Sequence, residues 1–194
     1  QIGQNHLPQV LYEALQTIAN PIIRNTATIG GNICEMNHKL TLYAPLLALD
    51  AKLEFVSQTE TITEPLLNFK EFPKDSVLTG IKIPNVDADI SIFRRIGPEN
   101  KITQRSASFA FIAATEKDTI SSLRLAFAGP FAFRSRTLEN DIIGKRLPLS
   151  QKDISEILEM VKQEFYKTAT DQMISDALTQ QFLNLTKYSF EQLS

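Results

Sequence analysis

From residue 52 onward the spacing of apolar residues changes once, at Gly129-Pro130, and that change constrains the fold more than any other feature. Before it, apolar and polar residues alternate at 52–57 and 59–64, and 76–83, 90–96, 106–115 and 119–128 read as further strands. A repeat of two is the period of a strand with one face on a core. After it, apolar residues recur every three to four positions over 137–143, 150–165 and 173–190, the period of helices packed along one side. Strands followed by a run of helices predict an α+β fold, with helices laid on an antiparallel sheet. The short polar links between 52–57 and 59–64, and at Glu116-Lys117-Asp118, predict hairpins. Ser150 with Asp153 three residues later is a helix start.

Upstream, Pro8 followed by Val10, Leu11, Ala14, Leu15 and Ile18 predicts a helix over 8–19. It should stop near Asn20-Pro21, because proline disfavours helix in the residue before it. Extended chain is expected from there to Ile29. Residues 43–49 read as a short buried helix running into the first strand. The polar stretch Asn85-Val86-Asp87-Ala88-Asp89, just after Pro84, reads as a linker. At 194 residues the chain can hold one large domain or two small ones, and the linker divides it into 1–84 and 85–194.

The chemistry concentrates in Ile23-Arg24-Asn25-Thr26-Ala27-Thr28-Ile29-Gly30-Gly31-Asn32-Ile33. Adjacent glycines permit positive φ and let a ligand approach main-chain N–H groups with no Cβ in the way. Asn32 adds an amide that both donates and accepts. On these residues alone the segment reads either as a tight turn or as a ligand loop. A formal net charge of −2 gives no electrostatic case for nucleic acid. The longest apolar run, residues 42–49, is far short of the ~20 residues a membrane span needs. With no leader pattern visible, cytoplasm is the default location. Cys34 is the single cysteine, so the chain can supply neither an internal disulfide nor an iron–sulfur cluster, and Cys34 reads as a small buried apolar residue. His6 and His38 stand at no metal-ligand spacing, so no metal site is expected. The initial glutamine points to a cleaved, tagged or incomplete N-terminus.

Arg24-Asn25-x-Ala27-Thr28-Ile29-Gly30-Gly31-Asn32, followed by Pro45-Leu46-Leu47-Ala48-Leu49-Asp50-Ala51, resembles the FAD-binding subunits and domains of the molybdenum hydroxylases. That family includes xanthine dehydrogenase and the medium subunit of carbon monoxide dehydrogenase. The resemblance continues through residues 123–129, Arg134, Arg136 and Gly144-Lys145-Arg146-Leu147, covering nearly the whole chain. It implies that 1–84 is a second FAD-binding (PCMH-like) subdomain, and 85–194 a C-terminal domain like that of the carbon monoxide dehydrogenase flavoprotein. It also implies that Thr28, Ile29, Gly30, Gly31 and Asn32 contact FAD. Arg94 and Arg95 read on sequence alone as edge-strand charges exposed to water; the resemblance sets them where the family often carries a cation near the flavin. The implied partners are iron–sulfur and molybdenum-cofactor subunits, with electrons passing through FAD to a soluble acceptor. No residue of the chain is expected to be catalytic in its own right.

Two departures from the family pattern stand out. Glu35 occupies a place where a small hydroxylated residue is common, and Thr41 one where an aspartate is usual. The first FAD subdomain, with its own glycine-rich loop, would lie upstream of residue 1. FAD is therefore expected in the complete subunit and not to be retained by this chain alone. The alternative is a flavin-free interaction or assembly module that keeps the fold.

Overall fold

A computed structural model describes residues 7–98, 101–169 and 174–193. Four short helices open the chain: α1 (Gln9–Gln16), α2 (Pro21–Thr26), α3 (Ile29–Cys34) and α4 (Tyr43–Ala48). Strands β1 (Lys52–Val56), β2 (Thr61–Pro65) and β3 (Val77–Lys82) form an antiparallel sheet in the order β2-β1-β3. A second antiparallel sheet runs β4 (Ile90–Ile96), β5 (Ala107–Glu116), β6 (Thr119–Ala128) and β7 (Ala132–Phe133). Helices α5 (Arg136–Ile142), α6 (Gln151–Thr168) and α7 (Asp176–Glu191) follow. The α+β class is as the change of period predicts. The helix expected over 173–190 begins at Asp176, and Met173 lies outside the described residues. Among the described residues no helix is long and apolar enough to cross a membrane.

The second sheet is buried on both faces, and residue size decides what each face receives. On one face Phe109, Phe111, Leu125 and Phe127 meet Phe165 of α6 and Phe182 and Phe190 of α7. On the other, the alternate residues are small: Ala110, Ala126 and Ala128, with Phe93 and Ile112. Without bulky side chains there, α1 and α4 lie close, bringing Val10, Leu11, Ala14, Leu46 and Leu47 into one core with Leu53 and Phe55. That core draws on residues from both sides of the 85–89 stretch. The Ser150–Asp153 pair closes as a full capping box at the start of α6, with Asp153 N–H donating to Ser150 Oγ at 3.1 Å and Ser150 N–H to Asp153 Oδ2 at 2.9 Å.

The stretch expected to be extended before a glycine turn is helical instead. Asn20 caps α2, its Oδ1 accepting the N–H of Ile23 at 3.0 Å, and Pro21 takes a first-turn position where its missing N–H costs nothing. Thr28 then caps α3, its Oγ1 accepting the N–H of Gly31 at 2.9 Å. Gly30 and Gly31 are helical residues, and among the described glycines positive φ occurs at Gly97 and Gly144. Helix α1 is also shorter than read, ending at Gln16, with Ala19 at φ +35° turning the chain into α2.

Candidate functional site

Two neighbouring features carry polar groups with spare hydrogen-bonding capacity. The first is the α2–α3 segment, which stands on the surface. Ile22 is 78% exposed and Ile23 47%, whereas Ile33 is buried and anchors α3 below. Arg24 ties the segment to α1: its Nη1 donates to the carbonyls of Gln16, Ile18 and Ala19 at 3.3, 2.7 and 3.2 Å. These carbonyls end a helix and would otherwise lack donors. The N–H groups of Ile29 and Gly30 have no acceptor within α3, because they belong to its first turn. A Cβ built on Gly30 meets only Thr28 Oγ1 at 4.0 Å, so the main chain there is open to approach. Asn32 Oδ1 is buried and accepts no hydrogen bond among the described residues.

The second feature is a cleft of about 710 Å³ between α1 and the edge strand β4. Helix α1 contributes Tyr12, Glu13, Gln16 and Thr17; β4 and its exit contribute Phe93, Arg94, Arg95 and Gly97. Ala19 also lines it, one residue before the Asn20 cap, so the cleft rim leads directly into α2. Successive residues of a strand face opposite ways. Phe93 joins the core on the α1 side and Ile92 and Ile96 the core on the α7 side. Arg95 therefore shares the side of Phe93, and Arg94 that of Ile92 and Ile96. Arg94 Nη1 donates to Phe93 O at 2.7 Å and Arg95 Nη1 to Pro98 O at 2.5 Å, and neither is ion-paired among the described residues. Gly97 is required where it sits: at φ +99°, a Cβ would come within 2.8 Å of Arg105 O and 3.0 Å of Ser106 Cα.

The structure thus brings Arg94 and Arg95 to a cleft. Thr28, Ile29, Gly30, Gly31 and Asn32 lie on the adjoining segment and do not line that cleft. Glu35 is exposed at the far end of α3, roughly 10 Å along the axis from the Thr28 cap. Lys39 pairs elsewhere, its Nζ donating to Gln104 Oε1 at 2.6 Å. Thr41 is buried. Cys34, read as a buried residue, is exposed, because Ile33 alone turns inward at that end of the short helix. His6 lies outside the described residues, and His38 packs edge-on against Tyr43, where burial lowers its pKa. Among the described residues no cluster of potential metal ligands occurs. Arg24 belongs to the motif but carries no role of its own in the sequence reading, and Gly97 is not singled out there. The signals for both were present: an arginine eight residues after a helix end, and a glycine closing a strand.

Away from the cleft, a charged hub joins the end of α4 to the second sheet. Arg134, with its side chain only 3% exposed, donates through Nη1 to Leu47 O at 2.5 Å and to Asp50 Oδ1 at 2.7 Å. Its Nε and Nη2 bind Glu139 at 2.9 and 3.1 Å. Arg124 reaches Ala48 O and Asp50 Oδ2 at 3.3 and 3.2 Å, and Arg136 reaches Asp50 Oδ1 at 2.7 Å. Burial pushes the Asp50 carboxyl up, but the hydrogen bond and charge of Arg134, with Arg124 and Arg136, outweigh it and hold the pKa below the usual value.

Residues 2–86 match the model of the FAD binding domain in molybdopterin dehydrogenase. The xanthine dehydrogenase FAD-binding subunit of Escherichia coli O157:H7 is 31% identical over 180 residues, which is 84% of this chain and 58% of that one. Residues 2–86 therefore carry the FAD-binding domain of the molybdenum hydroxylase family, and the chain as a whole is similar to its FAD-binding subunits. The glyceraldehyde dehydrogenase medium chain of Sulfolobus acidocaldarius is 24% identical over 151 residues, covering 71% of this chain and 52% of that one. The chain thus spans little more than half the length of these curated relatives. Its fold matches a chain of carbon monoxide dehydrogenase from Hydrogenophaga pseudoflava, with a TM-score of 0.77 at 20% identity over 93% of this chain and 65% of that one. Quinoline 2-oxidoreductase from Pseudomonas putida 86 matches with a TM-score of 0.69 at 16% identity, over 93% and 64%. FAD is the family's cofactor, and the donor set here suits it. An orphaned amide acceptor, main-chain N–H groups beside an open glycine and guanidinium groups without ion pairs are the chemical complement of hydroxyls and phosphates.

Proposed function

We propose that this chain contributes the FAD-holding surface of a molybdenum hydroxylase-type flavoprotein subunit, with Thr28, Ile29, Gly30, Gly31, Asn32 and Arg94 as its contacts. The observation that carries the reading is Asn32 Oδ1, a buried acceptor with no partner among the described residues, set in an exposed segment beside a glycine pair. An unsatisfied buried acceptor costs about 1–3 kcal/mol, which a hydroxyl donor from a ligand would recover. The N–H groups of Ile29 and Gly30 would donate to phosphate oxygens. Arg94 and Arg95 would hold negative charge at the α1–β4 cleft, whose rim continues into the glycine segment. FAD, when bound, supplies redox exchange between an iron–sulfur partner and a soluble acceptor. The protein's part is to bind, orient and shield it. The division at 84/85 belongs to the same reading, supported by the end of the FAD-domain match at residue 86. The same reading sets the complex in the cytoplasm.

Because the resemblance assigns only one of two glycine-rich loops to these residues, FAD should bind this chain weakly. Asn32→Ala is expected to weaken binding about two- to tenfold, the effect of one hydrogen bond of roughly 0.5–1.5 kcal/mol. It should not lower the melting temperature, since Oδ1 has no partner to lose. Flavin fluorescence titration beside thermal melts measures both. Loss of stability with unchanged FAD affinity would assign Asn32 to the scaffold and favour the flavin-free module.

A further inference from the structure

The edge strand β4 borders a second cleft, on the α7 side, of about 340 Å³. Its charged walls are Arg94 and Arg95; facing them are Gln181 and Asn184 of α7, and no carboxylate lines it among the described residues. Gln181 and Asn184 are three residues apart and so share one helix face. Both are exposed, and neither amide makes a hydrogen bond among the described residues. Arg94 directs its side chain to this side by strand alternation. Each arginine uses one donor on a nearby carbonyl, which leaves most of its five donors free. Planar guanidinium donors opposite two amides suit an oxyanion, whose lone pairs they meet at several angles.

We propose that this cleft is a second ligand site, which takes the phosphate or carboxylate end of a small molecule. Its volume lies at the low end of ligand pockets, about 300–1,000 Å³. It therefore admits one ring or a short chain with its anionic group, and not a dinucleotide. The site lies across a single strand from the α1-side cleft, with Arg94 and Arg95 bordering both. A molecule held here would neighbour whatever fills the larger cleft without entering it.

The test titrates the ¹⁵N-labelled chain, at constant ionic strength, with inorganic phosphate, AMP and citrate in separate arms. The proposal expects saturable shifts in the Gln181 and Asn184 side-chain amides from at least one probe. Phosphate or AMP identifies a phosphate ligand; citrate identifies a carboxylate. Arg94→Gln should weaken that binding about tenfold or more, the usual effect of losing a charge-assisted hydrogen bond. Asn184→Ala should weaken it several-fold, and Asn32→Ala should leave it unchanged, separating this site from the flavin reading. Both cleft positions are exposed, so their variants retain the fold. The absence of saturable shifts with all three probes would overturn the proposal, as would affinity untouched by Arg94→Gln and Asn184→Ala.

Discussion

Arg134→Ala is expected to lower the stability of the chain by about 3–5 kcal/mol, the range for breaking a buried ion pair. Removing the guanidinium leaves Glu139, with its side chain 5% exposed, without its main counter-charge, and takes donors from Asp50 and Leu47 O. Glu139 still accepts from the N–H of Leu125 at 2.9 Å, so the abandoned carboxylate stays fixed against the sheet. Arg136, 59% exposed, offers the contrast: Arg136→Ala should cost no more than about 1 kcal/mol. Urea denaturation followed by circular dichroism separates the two. Similar small losses in both variants would mean that the hub is not what joins α4 to the sheet. The hub also sets a pH dependence. The Asp50 pKa is lowered in the folded state, so its contribution is present above the ordinary carboxylate pKa and fades as pH falls through the folded value. Wild type should accordingly lose more stability than Arg134→Ala on acidification.

Phe182→Ala should cost about 3–5 kcal/mol, by loss of buried area and the cavity left behind. Phe182 is fully buried and stacks on Phe165 with centroids 4.3 Å apart and planes at 20°. It meets Phe127, Phe133 and Phe109 edge-on at 5.3, 5.7 and 6.1 Å. One ring thus joins α7, α6 and three strands, and no neighbour can move into its space without breaking another aromatic contact. Tyr188→Ala, at a position 43% exposed on the same helix, should stay within roughly 1 kcal/mol. Equal effects at both positions would show that α7 does not close the core.

Much of this architecture was legible because its signals are local and periodic. β4 and β6 run from the first to the last residue of the stretches that read as strands, and the Ser150–Asp153 box starts α6 as expected. The 21–34 segment was not legible, because its signals compete. Ile22, Ile23, Thr26 and Thr28 favour extended chain, and Pro21 reads as a helix stop. The same proline after Asn20 is also a helix start, and capping decided between the two. The charged hub escaped because its arginines lie 74 to 86 positions from Asp50 and meet it only through the fold. At the candidate site the residue types were readable, but the clefts were not. Each needs a helix that the sequence places far from β4. The two sides of β4 taken by Arg94 and Arg95 follow from strand alternation alone, and could have been read in advance.

The most direct measurement is a residue-by-residue map of FAD contact, by adding FAD to the ¹⁵N-labelled chain and following amide shifts. The account predicts perturbations at Ile29, Gly30, Gly31 and Asn32 and along Phe93, Arg94, Arg95 and Gly97, with the outer faces of α6 and of the β2-β1-β3 sheet silent. Shifts confined to other surfaces, or none at Ile29 to Asn32 with FAD in large excess, would contradict it.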